Sequence, residues 1–136
     1  MAGYRDLLVW QSAMQIAEDA YHLAEHFPQQ EVFDLTSQSR RAAVSVSSNI
    51  AEGHGRNSPK EFNHFLGIAL GSLTELETQL LLSERLKYIE EAQLANVLKA
   101  KDETAKCLKV YKSHLSQLTT NDQQLTKNDH QLTTSN

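Results

Sequence analysis

The stretch from Ser58 to Leu82, SPKEFNHFLGIALGSLTELETQLLL, decides the fold. It opens with Ser58-Pro59-Lys60-Glu61. A serine there accepts from the Glu61 amide, proline fits the first helical position, and Glu61 reaches back to the Ser58 amide. Phe62, Phe65, Leu66, Ala69, Leu73, Leu76, Leu80 and Leu81 then recur largely at three- and four-residue steps, the period of one helical face. The spacing predicts a long amphipathic helix that fades near Leu86-Lys87-Tyr88.

The same period appears on both sides of this stretch. Upstream, a segment from Gln30 or Glu31 to Glu52 carries Leu35, Ala42, Val46, Asn49, Ile50 and Gly53 on one face. Ser39, Ala42, Ala43, Ser45, Ser47 and Ser48 make it a small-residue helix that a neighbouring backbone can approach closely. Gly53-His54-Gly55 is read as its break. Before it, Tyr4 to Phe27 places Leu7, Trp10, Met14, Ala17, Tyr21 and Ala24 in a stripe, and Phe27-Pro28 ends it. Downstream, a segment after Tyr88 runs to Leu118 with Ile89, Leu94, Val97, Leu98, Ala105, Leu108, Tyr111 and Leu115.

Four helices of roughly 20 to 30 residues each span about 30 to 45 Å. Short connections between them favour antiparallel neighbours. The fold expected is therefore all-α, an antiparallel up-down-up-down four-helix bundle over residues 1–118. Residues 119–136 read differently: Gln117 to Gln123 is nearly repeated as Gln124 to His130 and again from Gln131 to Asn136. One strongly apolar residue per seven, among Thr, Asn and Asp, reads as a disordered polar tail.

Composition narrows the function classes. The 136 residues carry a formal charge of −4, whereas nucleic-acid binding domains draw affinity from a basic excess. A local basic patch remains compatible with that total. Five glycines and two prolines are too few for a turn-rich sheet protein. The lone Cys107 allows no intrachain disulfide, so packing must hold the fold. No apolar run reaches the roughly 20 residues of a membrane span, and residues 1–10 lack a signal-peptide pattern, so the cytoplasm is the expected compartment.

Catalytic and metal patterns are weak. His22 and His26 stand four apart but lack a third ligand at fixed spacing. No serine lies in a Gly-x-Ser-x-Gly frame. Gly53-His54-Gly55-Arg56 is better explained as an interhelical loop than as an anion cradle. The expectation is a protein that is not an enzyme, with no catalytic residues, metal or other cofactor. Polar residues on apolar faces say more: Asn49 and Glu52 are predicted to meet Ser72 and Glu75 across the second and third helices, fixing register. Arg40, Arg41, Arg56, Lys60, Lys99, Lys106 and Lys109 are the candidate contacts to nucleic acid or to another subunit.

The string from Ser39 to Gly53, SRRAAVSVSSNIAEG, resembles the signature of a bacterial four-helix-bundle family named for reading frames inside intervening sequences of 23S ribosomal RNA genes, the S23-like proteins. Glu61 to Gln79, the early Asp6-Leu7, Trp10 and Ala13, and Phe27-Pro28 followed by Glu31 and Leu35 carry it too. The likeness covers about Tyr4 to Leu118. It implies an antiparallel four-helix bundle assembling as a ring-like homopentamer. Related proteins are accessory factors to the reverse transcriptase of diversity-generating retroelements and bind nucleic acid through a basic surface. The matching positions Arg40, Arg41, Asn49, Glu52, Gly53, Ser72 and Glu75 are structural or interface candidates. Two functions follow: a non-enzymatic homo-oligomeric scaffold or adaptor whose partner is itself, and alternatively an accessory protein binding RNA or DNA. Neither involves a membrane or a small-molecule substrate.

Overall fold

The computed structural model describes residues 3–134, with side chains through residue 121. The described residues form four α-helices: α1 Leu8–Ala24, α2 Leu35–His54, α3 Pro59–Arg85 and α4 Glu91–Thr134. Short 3-10 turns, Tyr4–Asp6 and Gln29–Glu31, precede α1 and α2. Each helix packs on its neighbours in sequence, and α4 closes the ring against α1. Among the described residues the backbones of α1 and α3, and those of α2 and α4, are not neighbours, so these pairs are the diagonals of the bundle.

The helix ends follow from local chemistry. Ser58 Oγ accepts from the Glu61 amide at 3.3 Å, with Pro59 opening α3. At the start of α4, Gln93 Oε1 accepts from the Glu90 amide at 2.9 Å. Both satisfy amides that have no partner inside their helix. The α3–α4 turn is closed by the Tyr88 amide on the Ser83 carbonyl and the Lys87 amide on the Glu84 carbonyl, each 2.9 Å. That pairing puts Lys87 in the left-handed region, φ 64°, where glycine is the usual residue. The α2–α3 turn differs from the sequence reading. Gly55 caps α2 at φ −74°, and Asn57 takes the left-handed conformation at φ 56°. Asparagine tolerates that region better than most residues. Gly53 lies inside α2, where an added Cβ would stand 2.6 Å from the Phe65 Cβ. Its missing side chain lets α2 and α3 close.

The core is one apolar cluster from all four helices, centred on Ile16, Val46, Ile50, Leu66, Leu73, Leu76, Leu80 and Leu108. The α1 stripe is rotated from the expected one. Val9, Ala13, Ile16, Ala20 and Leu23 face inward, while Met14 and Tyr21 are exposed and Trp10 is half-buried. Ala13 and Ala20 are fully buried, so alanines set the close approach of α1 and the aromatic row stays outside. By length and mean hydropathy α3 could cross a bilayer, contrary to the sequence reading. Its Leu66, Ala69, Leu73, Leu76 and Leu80 are turned into the bundle core.

The segment expected to be a disordered polar tail lies at the end of α4. α4 continues through the seven-residue repeats to Thr134, and residues 135 and 136 lie outside the described residues. A helix already nucleated by packing extends at small cost per residue, even through indifferent helix formers. The Thr119 and Thr120 hydroxyls donate to the Leu115 and Ser116 carbonyls, each 3.0 Å, which keeps them compatible with a helix.

Candidate interaction surface

The row that α1 leaves outside meets an outward row on α2. Trp10, Met14 and Ala17 of α1 face Val44, Ser47, Ser48 and Ala51 of α2 around a concavity of about 340 Å³, with Tyr4 at its edge. Tyr21 of α1 meets Ser37, Arg40, Arg41 and Val44 of α2, together with Val32 and Phe33, around a second of about 490 Å³. Val44 lines both, so they form one groove along the outside of α1 and α2. Phe33 is 95% exposed at one end. Met14, Tyr21, Val32 and Val44 are exposed beside it.

Arg40 and Arg41 stand in this groove. The Arg40 guanidinium lies over the Tyr21 ring, 5.1 Å from its centroid. Its Nε is buried without a hydrogen-bond partner among the described residues. Arg41 reaches only the Ser37 hydroxyl, at 3.4 Å. Among the described residues neither arginine has a carboxylate within ion-pair distance.

The other cations are placed elsewhere. Arg56 is bound to Glu52 at 2.6 Å and lies over the Phe65 ring. Lys60 is exposed at the start of α3. Lys99, Lys106 and Lys109 are exposed on α4, diagonal to α2. Lys101 is held by Glu77 and Asp102. Burial opposes its charge, but the bonds to Asp102 and Glu77 outweigh this and raise its pKa. The same bond to Lys101, with its charge, holds the Asp102 carboxyl below its ordinary value. Lys112 is drawn inward to the Asn63 carbonyl and side-chain oxygen, both 2.7 Å. The candidate cations therefore do not form one patch.

The predicted polar network is only half assembled. Asn49 Nδ2 donates to the Ser45 carbonyl at 2.7 Å and to Ser45 Oγ at 3.0 Å. Ser45 Oγ and Ser72 Oγ are 2.8 Å apart, which ties α2 to α3. Glu52 is instead taken by Arg56, one turn along its own exposed face. Glu75 is exposed and accepts from Gln79 Nε2 at 3.3 Å. Both carboxylates stay in water because burying a charge without a partner is costly. Ser45 joins the helices, although its sequence context marks it as a small packing residue; its four-residue step to Asn49 is the signal for the polar role. Phe33 and Val44 were also missed as surface residues. Their signal is an apolar pair, Val32-Phe33, immediately before α2, and a valine off its core stripe.

His22, four from His26, lies near Glu18 and Glu25 at 3.9 and 3.8 Å, all on the exposed side of α1. No cluster of three or more metal-ligating side chains occurs among the described residues.

Residues 5–110 match the family described as 23S rRNA-intervening sequence protein. A crystal structure from Bacteroides thetaiotaomicron, of a protein with unknown function from the S23 ribosomal protein family, is similar in fold and sequence. It is 27% identical with a TM-score of 0.69, covering 74% of this chain and 94% of its own. No curated protein matches the chain. The match over most of its length carries the conclusion that the chain belongs to the 23S rRNA-intervening sequence protein family.

Proposed function

We propose that this chain is a self-assembling scaffold whose α1–α2 outer face is covered by another copy of itself. One observation carries the reading: the continuous apolar groove from Trp10 to Phe33, with Phe33 95% exposed at its end. Soluble monomers rarely leave large contiguous apolar patches in water, and such patches mark association surfaces. The reading assigns the chain no reaction and places it in a bacterial cytoplasm. Five copies is the number the family resemblance implies.

Nucleic-acid binding is the second reading. The exposed Lys99, Lys106 and Lys109 on α4 favour it, and their separation from Arg40 and Arg41 on diagonal helices weakens it. Light scattering coupled to size exclusion, at low and high salt, separates the two. The scaffold reading expects a multiple of 15.3 kDa free of absorbance at 260 nm, falling to one chain in Phe33→Asp. A wild-type mass of one chain at every concentration contradicts it. Nucleic acid carried until salt strips it away supports the second reading, because phosphate contacts weaken steeply with salt.

A further inference from the structure

The α1–α2 groove is concave, so a second copy covering it must present a ridge. The outward side of α3 offers one. Ile68, Gly71, Glu75, Thr78 and Leu82 follow one another at steps of three, four, three and four, and all five are exposed. The stripe is apolar at both ends and small in the middle. Nothing lies within 4 Å of where a Cβ on Gly71 would stand. Its one charge is Glu75, whose only side-chain hydrogen bond among the described residues is to Gln79 of the same helix. The stripe is about 21 Å long, and α2 from Leu35 to Ala51 is about 24 Å, so ridge and groove match in length.

We propose that the α3 stripe of one copy docks in the α1–α2 groove of the next, with Glu75 meeting Arg40 and Arg41. This rests on the self-assembly reading and adds the partner surface to it. The charges are complementary: among the described residues the two arginines, beside Tyr21, Phe33 and Val44, have no carboxylate, and Glu75, between Gly71 and Thr78, has no cation. Arginine's planar fork suits a carboxylate, and Arg40 is already oriented by the Tyr21 ring. Ridge and groove are different surfaces, so the contact is head-to-tail. Such contacts close into a ring or run on as a filament.

The test is charge reversal read by light-scattering mass. R40E/R41E and Glu75→Arg are each expected to run as single chains of 15.3 kDa with unchanged helical circular dichroism. An equimolar mixture of the two is expected to regain a multi-chain mass, because each reversed surface finds an opposite charge on the other chain. Should R40E/R41E fail to fold, Glu75→Arg alone decides, since Glu75 faces water. If Glu75→Arg keeps the wild-type mass while Phe33→Asp falls to one chain, self-assembly stands and this pairing is wrong. If the wild type is itself a single chain, both fall. If Arg40 and Arg41 instead hold co-purifying nucleic acid on a single chain, the pairing is likewise overturned.

Discussion

The two sides of α2 are built on opposite rules. Toward α3 it shows Ser39, Ala43, Val46, Ile50 and Gly53, small or moderate residues that let two backbones approach, with Ser45 bonded to Ser72 across the gap. Away from the bundle it shows Arg40, Arg41, Val44 and Ser48, which with α1 form a groove that no other described residue fills. The first side is filled within one chain by close packing and a paired hydroxyl, with the Ser39 hydroxyl buried without a hydrogen-bond partner among the described residues. The second has apolar area and, among the described residues, two cations without a carboxylate. One helix can thus serve folding and association because its faces are only about 100° of rotation apart per residue.

Breaking the inner side should cost stability. Leu66 is fully buried in the core, and Leu66→Ala should lower unfolding free energy by about 2 to 5 kcal/mol in urea denaturation. Gly53→Ala forces a Cβ against Phe65 and should cost about 1 to 3 kcal/mol, more than alanine's better helix propensity returns. Ser72→Ala removes the bond to Ser45, which keeps its bond from Asn49; a loss of about 1 kcal/mol is expected. A loss indistinguishable from zero would remove the polar tie from the account of α2–α3 register.

The smallest expected effect lies on the far side of α3, where Lys101 of α4 joins Glu77 and Asp102. Asp102 has a lowered folded pKa, so its contribution is complete above the ordinary aspartate range, about 4, and fades as pH falls through the lowered value. Lys101 has a raised folded pKa, so its contribution is complete below about 10.5 and fades as pH rises through the raised value. Melting temperatures of wild type and Lys101→Met should differ at neutral pH and converge toward both extremes. A constant difference across the range would mean that Lys101 acts through packing alone.

The legible parts of the fold were those with local chemistry. Ser58 and Pro59 announce α3, Phe27-Pro28 stops the first helix region, and of the expected α3 stripe Phe62, Leu66, Ala69, Leu73, Leu76 and Leu80 are buried, while Phe65 is half-buried and Leu81 is exposed. The face of α1 was not legible. Its two apolar rows, Val9-Ile16-Leu23 and Trp10-Met14-Tyr21, are neighbours with the same period, and only the partners across the bundle choose between them. The helical course of the repeats was hidden because propensity weighs a segment in isolation, not as the continuation of a packed helix. Asn49 and Ser72 were readable as polar residues on apolar faces, but Glu52 and Glu75 were misplaced because a carboxylate one turn away can turn to water. The Val32-Phe33 pair before α2 and a valine off the α2 core stripe mark apolar residues outside the core, but only the packing of α1 against α2 joins them into one groove.

Trp10, the chain's one tryptophan, lines the groove and gives the most direct test. Its emission maximum would be compared between wild type and Phe33→Asp at equal concentration. Trp10 and Phe33 line different ends of the groove, so the substitution reaches the indole only through loss of the covering copy. Blue emission is expected in the wild type and a red shift in the variant as its mass falls to one chain. A variant that becomes a single chain with Trp10 emission unchanged would mean that the copies meet on another face.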